Sequence, residues 1–133
     1  MLFAYDDYES QYGSLKFIDC QRLHFLMLEA IGKDEDALEL YYALIRVASD
    51  YAVLRSRWSV ADKDWKLAND GYRTSVHDAL IISLNVLARY LQSIGKGTEW
   101  REELGDSEKD PMNRKRIGDF GCYLVFVHGL SAR

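Results

Sequence analysis

Five polar side chains on one stretch could carry chemistry in this sequence. Residues 72–95 read YRTSVHDALIISLNVLARYLQSIG. Asp78, Asn85 and Arg89 stand there at offsets of 0, 7 and 11, within roughly 40° of one another on a helical wheel. Arg73 and His77, four residues apart, form a separate pair separated by one helical turn. An imidazole that titrates near neutral pH is a natural general base, although Asp78 is too close in sequence to orient His77 from the same face. Arg73, His77, Asp78, Asn85 and Arg89 are therefore the candidate ligand-binding set, and no residue is assigned a catalytic role. A hydrogen-bonded network that fixes helix packing explains the same residues, because buried polar groups must find partners wherever they sit. That architectural reading is the preferred one.

Other chemistries leave weaker traces. Cys20 and His24 stand at i and i+4, spacing suited to two metal ligands, but Cys122 or His77 would have to complete the site from elsewhere. A buried thiol beside a hydrogen-bonded histidine accounts for the pair equally, so neither a metal nor any other cofactor is expected. A di-iron bundle needs Glu three residues before His on two helices. Gln21, Thr74 and Val125 occupy those positions before His24, His77 and His128, which excludes that class. There is no Gly-x-Ser-x-Gly elbow and no phosphate-cradling glycine loop. Cys122 lies in an apolar run, where desolvation makes a thiol inert. Arg55, Arg57, Trp58, Lys63, Trp65 and Lys66 interleave cations with indoles as a single-strand binder would, yet Asp62 and Asp64 dilute the pattern.

Helices must position these groups. Over residues 72–95, Val76, Leu80, Leu84, Leu87, Leu91 and Ile94 recur at steps of three and four, with Ala79 and Ala88 between them. Asn69 or Asp70 can cap this helix and Gly95 can end it, and the rest of the chain is expected to organise around it. Upstream, Ser14 looks like the cap of a helix over residues 15–31, with Leu15, Ile18, Leu23, Leu26, Met27 and Ile31 inward and Gly32 ending it. Phe17, Phe25 and Leu28 widen its apolar surface. A helix from Asp34, with Glu35 and Asp36 at the positive end of its dipole, buries Leu38, Tyr41, Leu44, Ile45, Ala48, Tyr51, Leu54 and Trp58. No breaker precedes Asp70-Gly71, so it extends far, with a bend around Ser59-Val60. A short turn follows at residues 98–104, with Thr98 as cap. Asp110-Pro111 then opens the last helix.

In that last segment CYLVFV has the composition of a buried strand, but no second strand is present to pair with it. As a helix it gives one stripe of Ile117, Phe120, Leu124 and Val127. Gly118, Gly121, Cys122, Val125 and Gly129 form a small-residue side that would admit another backbone. The expectation is all-α: one domain over residues 1–133, an up-and-down bundle of about four principal helices, with residues 1–13 as a loosely packed arm.

Composition narrows the partners. Residues 1–50 hold 10 acids against 4 bases, whereas residues 51–133 hold 11 against 13, too little positive charge for a general nucleic-acid binder. No apolar run nears the roughly 20 residues that span a bilayer, and the start, MLFAYDDYES, is acidic where a signal peptide would be basic. With two thiols distant in sequence, a reducing, cytoplasmic setting is expected.

The pattern Arg73-Thr74, His77-Asp78, Leu80-Ile81, Leu84-Asn85, Arg89-Tyr90, then Trp100-Arg101 and Arg116-Ile117-Gly118-Asp119-Phe120, resembles a family of small all-helical bacterial proteins of unknown function. The resemblance covers residues 51–133 and implies an all-α fold and a bacterial or phage origin. It carries over no activity. The leading functional expectation is a non-enzymatic interaction or regulatory protein that docks on a protein partner or a second copy of itself. The alternative is a small-molecule binding protein or weak enzyme with a pocket around Arg73, His77, Asn85 and Arg89. A nucleic-acid binder using residues 55–66 and Arg114-Lys115-Arg116 ranks third.

Overall fold

A computed structural model describes residues 15–105 and 111–131. Among these residues the chain is all-α: four principal helices and one short one, with no strand. The expected caps at Ser14 and Asp110, and the arm over residues 1–13, lie outside the described residues.

The first helix, α1, spans Phe17–Ile31 and ends at Gly32, whose φ of 53° favours glycine over side chains that carry a Cβ. It buries Cys20, Leu23, His24, Met27 and Ile31, again at steps of three and four. Ile18, expected inward, is 68% exposed. It precedes Cys20 by two residues, about 200° around the helix, so the stripe that registers on Cys20 must turn Ile18 outward. Leu15, expected inside this helix, precedes it yet is buried in the core.

The second helix, α2, spans Glu35–Val60, with the Asp34 carboxylate accepting the Ala37 N–H at 2.9 Å. The Tyr90 hydroxyl donates to the same oxygen at 2.8 Å. The expected bend at Ser59-Val60 is instead a full break: Ala61 is extended, and Asp62 accepts the Trp65 N–H at 2.8 Å to start α3, Lys63–Ser93. This helix runs uninterrupted through Asp70-Gly71. Asn69 is not its cap and donates back to the Trp65 carbonyl instead. The local Asp-Gly turn signal loses to the cap eight residues earlier, because glycine inside a helix costs only about 1 kcal/mol.

Gly97, in the left-handed region at φ 75°, starts the short helix α4, Thr98–Leu104. Thr98 is thus the first helical residue rather than the cap. Trp100 and Leu104 of α4 are buried.

The last helix, α5, spans Pro111–Ser131, so CYLVFV is helical. Every residue from 117 to 124 is buried, as expected of a helix enclosed on all sides. It packs against each of the other four helices. The centre of the bundle is therefore α5 and not the stretch over residues 72–95, which buries a single stripe. The small residues of α5 admit side chains rather than another backbone. A Cβ at Gly118 would collide with the Tyr51 hydroxyl and stand 3.0 Å from Arg55 Nη1, and one at Gly121 would stand 2.9 Å from a Leu80 methyl. Gly129, assigned to the same side, is exposed with nothing described near it.

Candidate functional site

Tyr51, Leu54, Arg55 and Trp58 stand at i, i+3, i+4 and i+7, so α2 presents all of them along one edge. Arg73 and His77 do the same on α3, and Lys115 stands near the start of α5. Together these seven residues line a cleft of about 270 Å³. None of the seven is acidic, and three are cations.

Each cation is held differently. Arg55 is anchored from below: its Nη2 donates to Asp119 Oδ1 at 3.1 Å and its Nη1 to the Tyr51 hydroxyl at 3.1 Å. Asp119 is completely buried, and its second oxygen accepts the Leu15 N–H at 3.1 Å. Arg73 lies over the face of Trp58, 4.7 Å from the ring centre, a cation–π contact. It also reaches Asp70 at 3.2 Å across exposed surface. Lys115 is exposed.

His77 has its orientation fixed from α5. Its Nε2 lies 2.8 Å from the Arg114 carbonyl oxygen, and an acceptor of that kind requires Nε2 to carry the proton. Nδ1 is then left as the acceptor. Burial pushes the His77 pKa down, and the nearby Arg114 and Arg55 charges push the same way. The ring is neutral at neutral pH and lies 4.9 Å from the Tyr51 ring. Burial also raises the Tyr51 phenol to about 12, so it stays protonated.

The five sequence candidates separate in space. Arg73 and His77 line the cleft. Asp78 does not line it and accepts from Arg114 Nη2 at 2.6 Å. Asn85, half-buried, and Arg89, exposed, do not line it. They follow His77 by eight and twelve residues, so the helix carries them roughly 12 and 18 Å further along its axis. His77 and Asp78 bond across to α5, Asp78 with its side chain 48% exposed, and Arg89 is exposed.

Sequence reasoning missed Tyr51 and Leu54 as cleft residues, reading them only as core. It named Asp119 within a resemblance without giving it a role. A lone acid inside the apolar run Ile117–Val127 was the available signal, since a carboxylate there needs a buried partner.

A second polar cluster joins α1, α2 and α5. The Tyr41 hydroxyl lies 2.9 Å from His24 Nε2 and 2.6 Å from His128 Nε2. One phenol proton serves one acceptor, so two neutral imidazoles meet it in opposite tautomers, one accepting and one donating. Burial lowers the His24 pKa to about 4, with His128 adding a smaller push, and burial lowers His128 as well. Cys20, the suggested partner of His24, is a buried thiol outside any disulfide. Among the described residues no three His, Cys, Asp or Glu side chains group closely enough to hold a metal ion.

The tryptophans read as nucleic-acid platforms are occupied from within. Trp58 and Trp65 pack edge to face at 5.6 Å, with Arg57 over Trp65 at 4.9 Å and Arg73 over Trp58.

The fold and site define an all-α bundle with a basic, aromatic-walled cleft between α2, α3 and α5. The chain matches no protein-family model, no curated protein and no solved structure. No described helix is long and apolar enough to cross a membrane.

Proposed function

We propose that this chain is a non-enzymatic binding protein that takes a small anionic ligand with a flat apolar part into the α2–α3–α5 cleft. The supporting observation is the lining itself: Arg55, Arg73 and Lys115, no acid, and walls of Tyr51, Leu54 and Trp58. Guanidinium groups bind carboxylates and phosphates through paired N–H donors, and Arg55 is already oriented by Asp119. The apolar walls bury a planar group, while neutral His77 adds one acceptor that discriminates on shape. The volume lies near the low end for ligand pockets, about 300–1,000 Å³, which restricts the occupant to a small metabolite.

Thermal-shift and calorimetric screening with aromatic carboxylates and nucleoside monophosphates, beside their uncharged analogues, tests this reading. Charged members should bind and uncharged ones should not. Arg73→Ala with Lys115→Ala should abolish binding without unfolding the chain, because both side chains are exposed. Failure of every anion to bind tighter than about 1 mM, or equal binding by the double variant, would reject the proposal.

One observation favours a second reading, docking on a protein partner. Ile18, Phe25 and Leu28 lie along one side of α1 and are 68, 61 and 42% exposed. Capture of a partner by the tagged chain, abolished by Ile18→Asp with Phe25→Asp, would support docking. We further propose a reducing bacterial cytoplasm as the setting, in which Cys20 and Cys122 would stay thiols.

A further inference from the structure

The first helix carries two stripes. Its inner one, Cys20, Leu23, Met27 and Ile31, is buried in the core. A second runs along its outer side, where Ile18, Gln21, Phe25 and Leu28 follow one another at steps of three, four and three. Those four lie within roughly 80° of one another around the helix. Ile18, Phe25 and Leu28 are 68, 61 and 42% exposed, and Gln21 is exposed between them. We infer that this stripe is the interface of a twofold dimer, in which α1 packs antiparallel against α1 of a second copy. The inference rests on the docking reading of this face and commits it to one partner.

The stripe is complementary to its own reversal. A twofold axis crossing α1 between Gln21 and Arg22 has Ile18 on one side and Phe25 on the other, each about 5 Å away along the helix. Each Ile18 therefore lands opposite the second copy's Phe25, as a self-complementary patch requires. Leu28 lands beside the second copy's Phe17. The two Gln21 amides meet near the axis. A glutamine amide both donates and accepts, so a pair of them satisfies itself across a twofold. Steps of three and four are also the spacing of a two-helix seam, in which one polar residue fixes the register.

Charge does not oppose the approach. The stripe itself holds no charged residue. Arg22, beside the axis, is engaged by Glu99 and Glu103 of its own chain at 3.2 and 2.9 Å, so two copies do not set unpaired cations against each other.

The area suits a weak dimer. At roughly 150–250 Å² for a large side chain in full exposure, Ile18, Phe25 and Leu28 leave about 300 Å² of apolar surface in water. A standard interface buries about 800 Å² per partner, of which about 450–520 Å² is apolar. These three residues supply more than half of that. Phe17, 36% exposed and packed edge to face on Tyr123 and Phe126 of α5, borders the stripe and extends it. An interface at the lower end of the standard size gives association that depends on concentration.

Sedimentation equilibrium of the full chain from about 1 to 400 μM tests the dimer, with an expected Kd of about 10–100 μM. Ile18→Lys and Phe25→Glu should each weaken association at least about tenfold, the equivalent of roughly 1.4 kcal/mol. Both positions are exposed, and circular dichroism checks that each variant folds. An equimolar mixture of the two variants is the decisive sample. In the mixed dimer one contact sets lysine against glutamate and the other keeps the native Ile18–Phe25 pair. The mixture should therefore associate within about threefold of the unsubstituted chain, a rescue that general damage to the helix would not give. A chain that stays monomeric at 400 μM, a dimer that both single variants leave intact, or a mixture no more associated than its components would each overturn the inference. Capture of a different protein through this face by a monomeric chain would overturn it too, while leaving the docking reading in place.

Discussion

Asp119 offers the sharpest test of how the cleft is held. Its carboxylate is fully buried, meets Arg55 at 3.1 Å and accepts the Leu15 N–H at 3.1 Å. The Arg55 side chain is itself only 12% exposed, so water cannot easily take over if the acid is removed. Asp119→Asn keeps the shape and one carbonyl oxygen but deletes the charge. Breaking a buried pair from one side costs about 3–5 kcal/mol, mostly the desolvation of the remaining charge. In a chain of this size each kcal/mol moves the melting temperature by roughly 3 °C, so a fall of about 10 °C is expected. Urea unfolding should give the same loss through its midpoint at constant slope. Removing both partners together, as Arg55→Met with Asp119→Leu, leaves no buried charge behind. That variant should recover at least about 2 kcal/mol relative to the sum of the two single variants. A loss below about 1 kcal/mol for Asp119→Asn, or strict additivity in the cycle, would refute the claim that this pair anchors Arg55.

Three further outcomes follow from packing and protonation. Gly118→Ala drives a methyl group into the Tyr51 hydroxyl and should cost about 1–3 kcal/mol in chemical unfolding, while Gly129→Ala, with nothing described near it, should be neutral or stabilising by up to about 1 kcal/mol. His24 has a folded pKa of about 4 against an ordinary 6.5, so between those values the unfolded chain binds more protons than the folded one. Its contribution is therefore complete above about pH 6.5 and declines as the pH falls toward 4; unfolding at about pH 5 should show a lower urea midpoint than at pH 7, with the difference reduced in His24→Gln. Arg89→Ala, at an exposed position, should shift stability by less than about 0.5 kcal/mol, and a larger loss would restore the architectural reading of that residue.

The helices were legible because each announces itself locally. Asp34 and its acidic first turn, the three-and-four spacing from Leu80 to Leu91, and Gly32 act within a few residues of themselves, so reading along the chain finds them. Boundaries failed where two local signals competed. Asp62 and Asp70-Gly71 both punctuate the same region, and only packing chose between them. Hydrophobic composition likewise indicated that residues 117–127 are buried. It could not indicate that this helix would be the central one, because enclosure on all sides depends on where four other helices go.

Two of the seven cleft residues were legible on the same grounds. Arg73 and His77 share a face by helical period alone, and no tertiary information is needed to see them together. Grouping Asn85 and Arg89 with them failed because a helical wheel projects away the axis, and the cleft is local along that axis. Tyr51, Asp119 and Lys115 enter only when α2 and α5 pack against α3. The pairing of His24 with Tyr41 and His128 is the extreme case. Sequence determined that these three side chains could accept, donate or ligate, since that follows from their functional groups. Only the tertiary structure decided that they meet, because a contact between residues so far apart along the chain is fixed by the packing of three helices and leaves no period in the sequence.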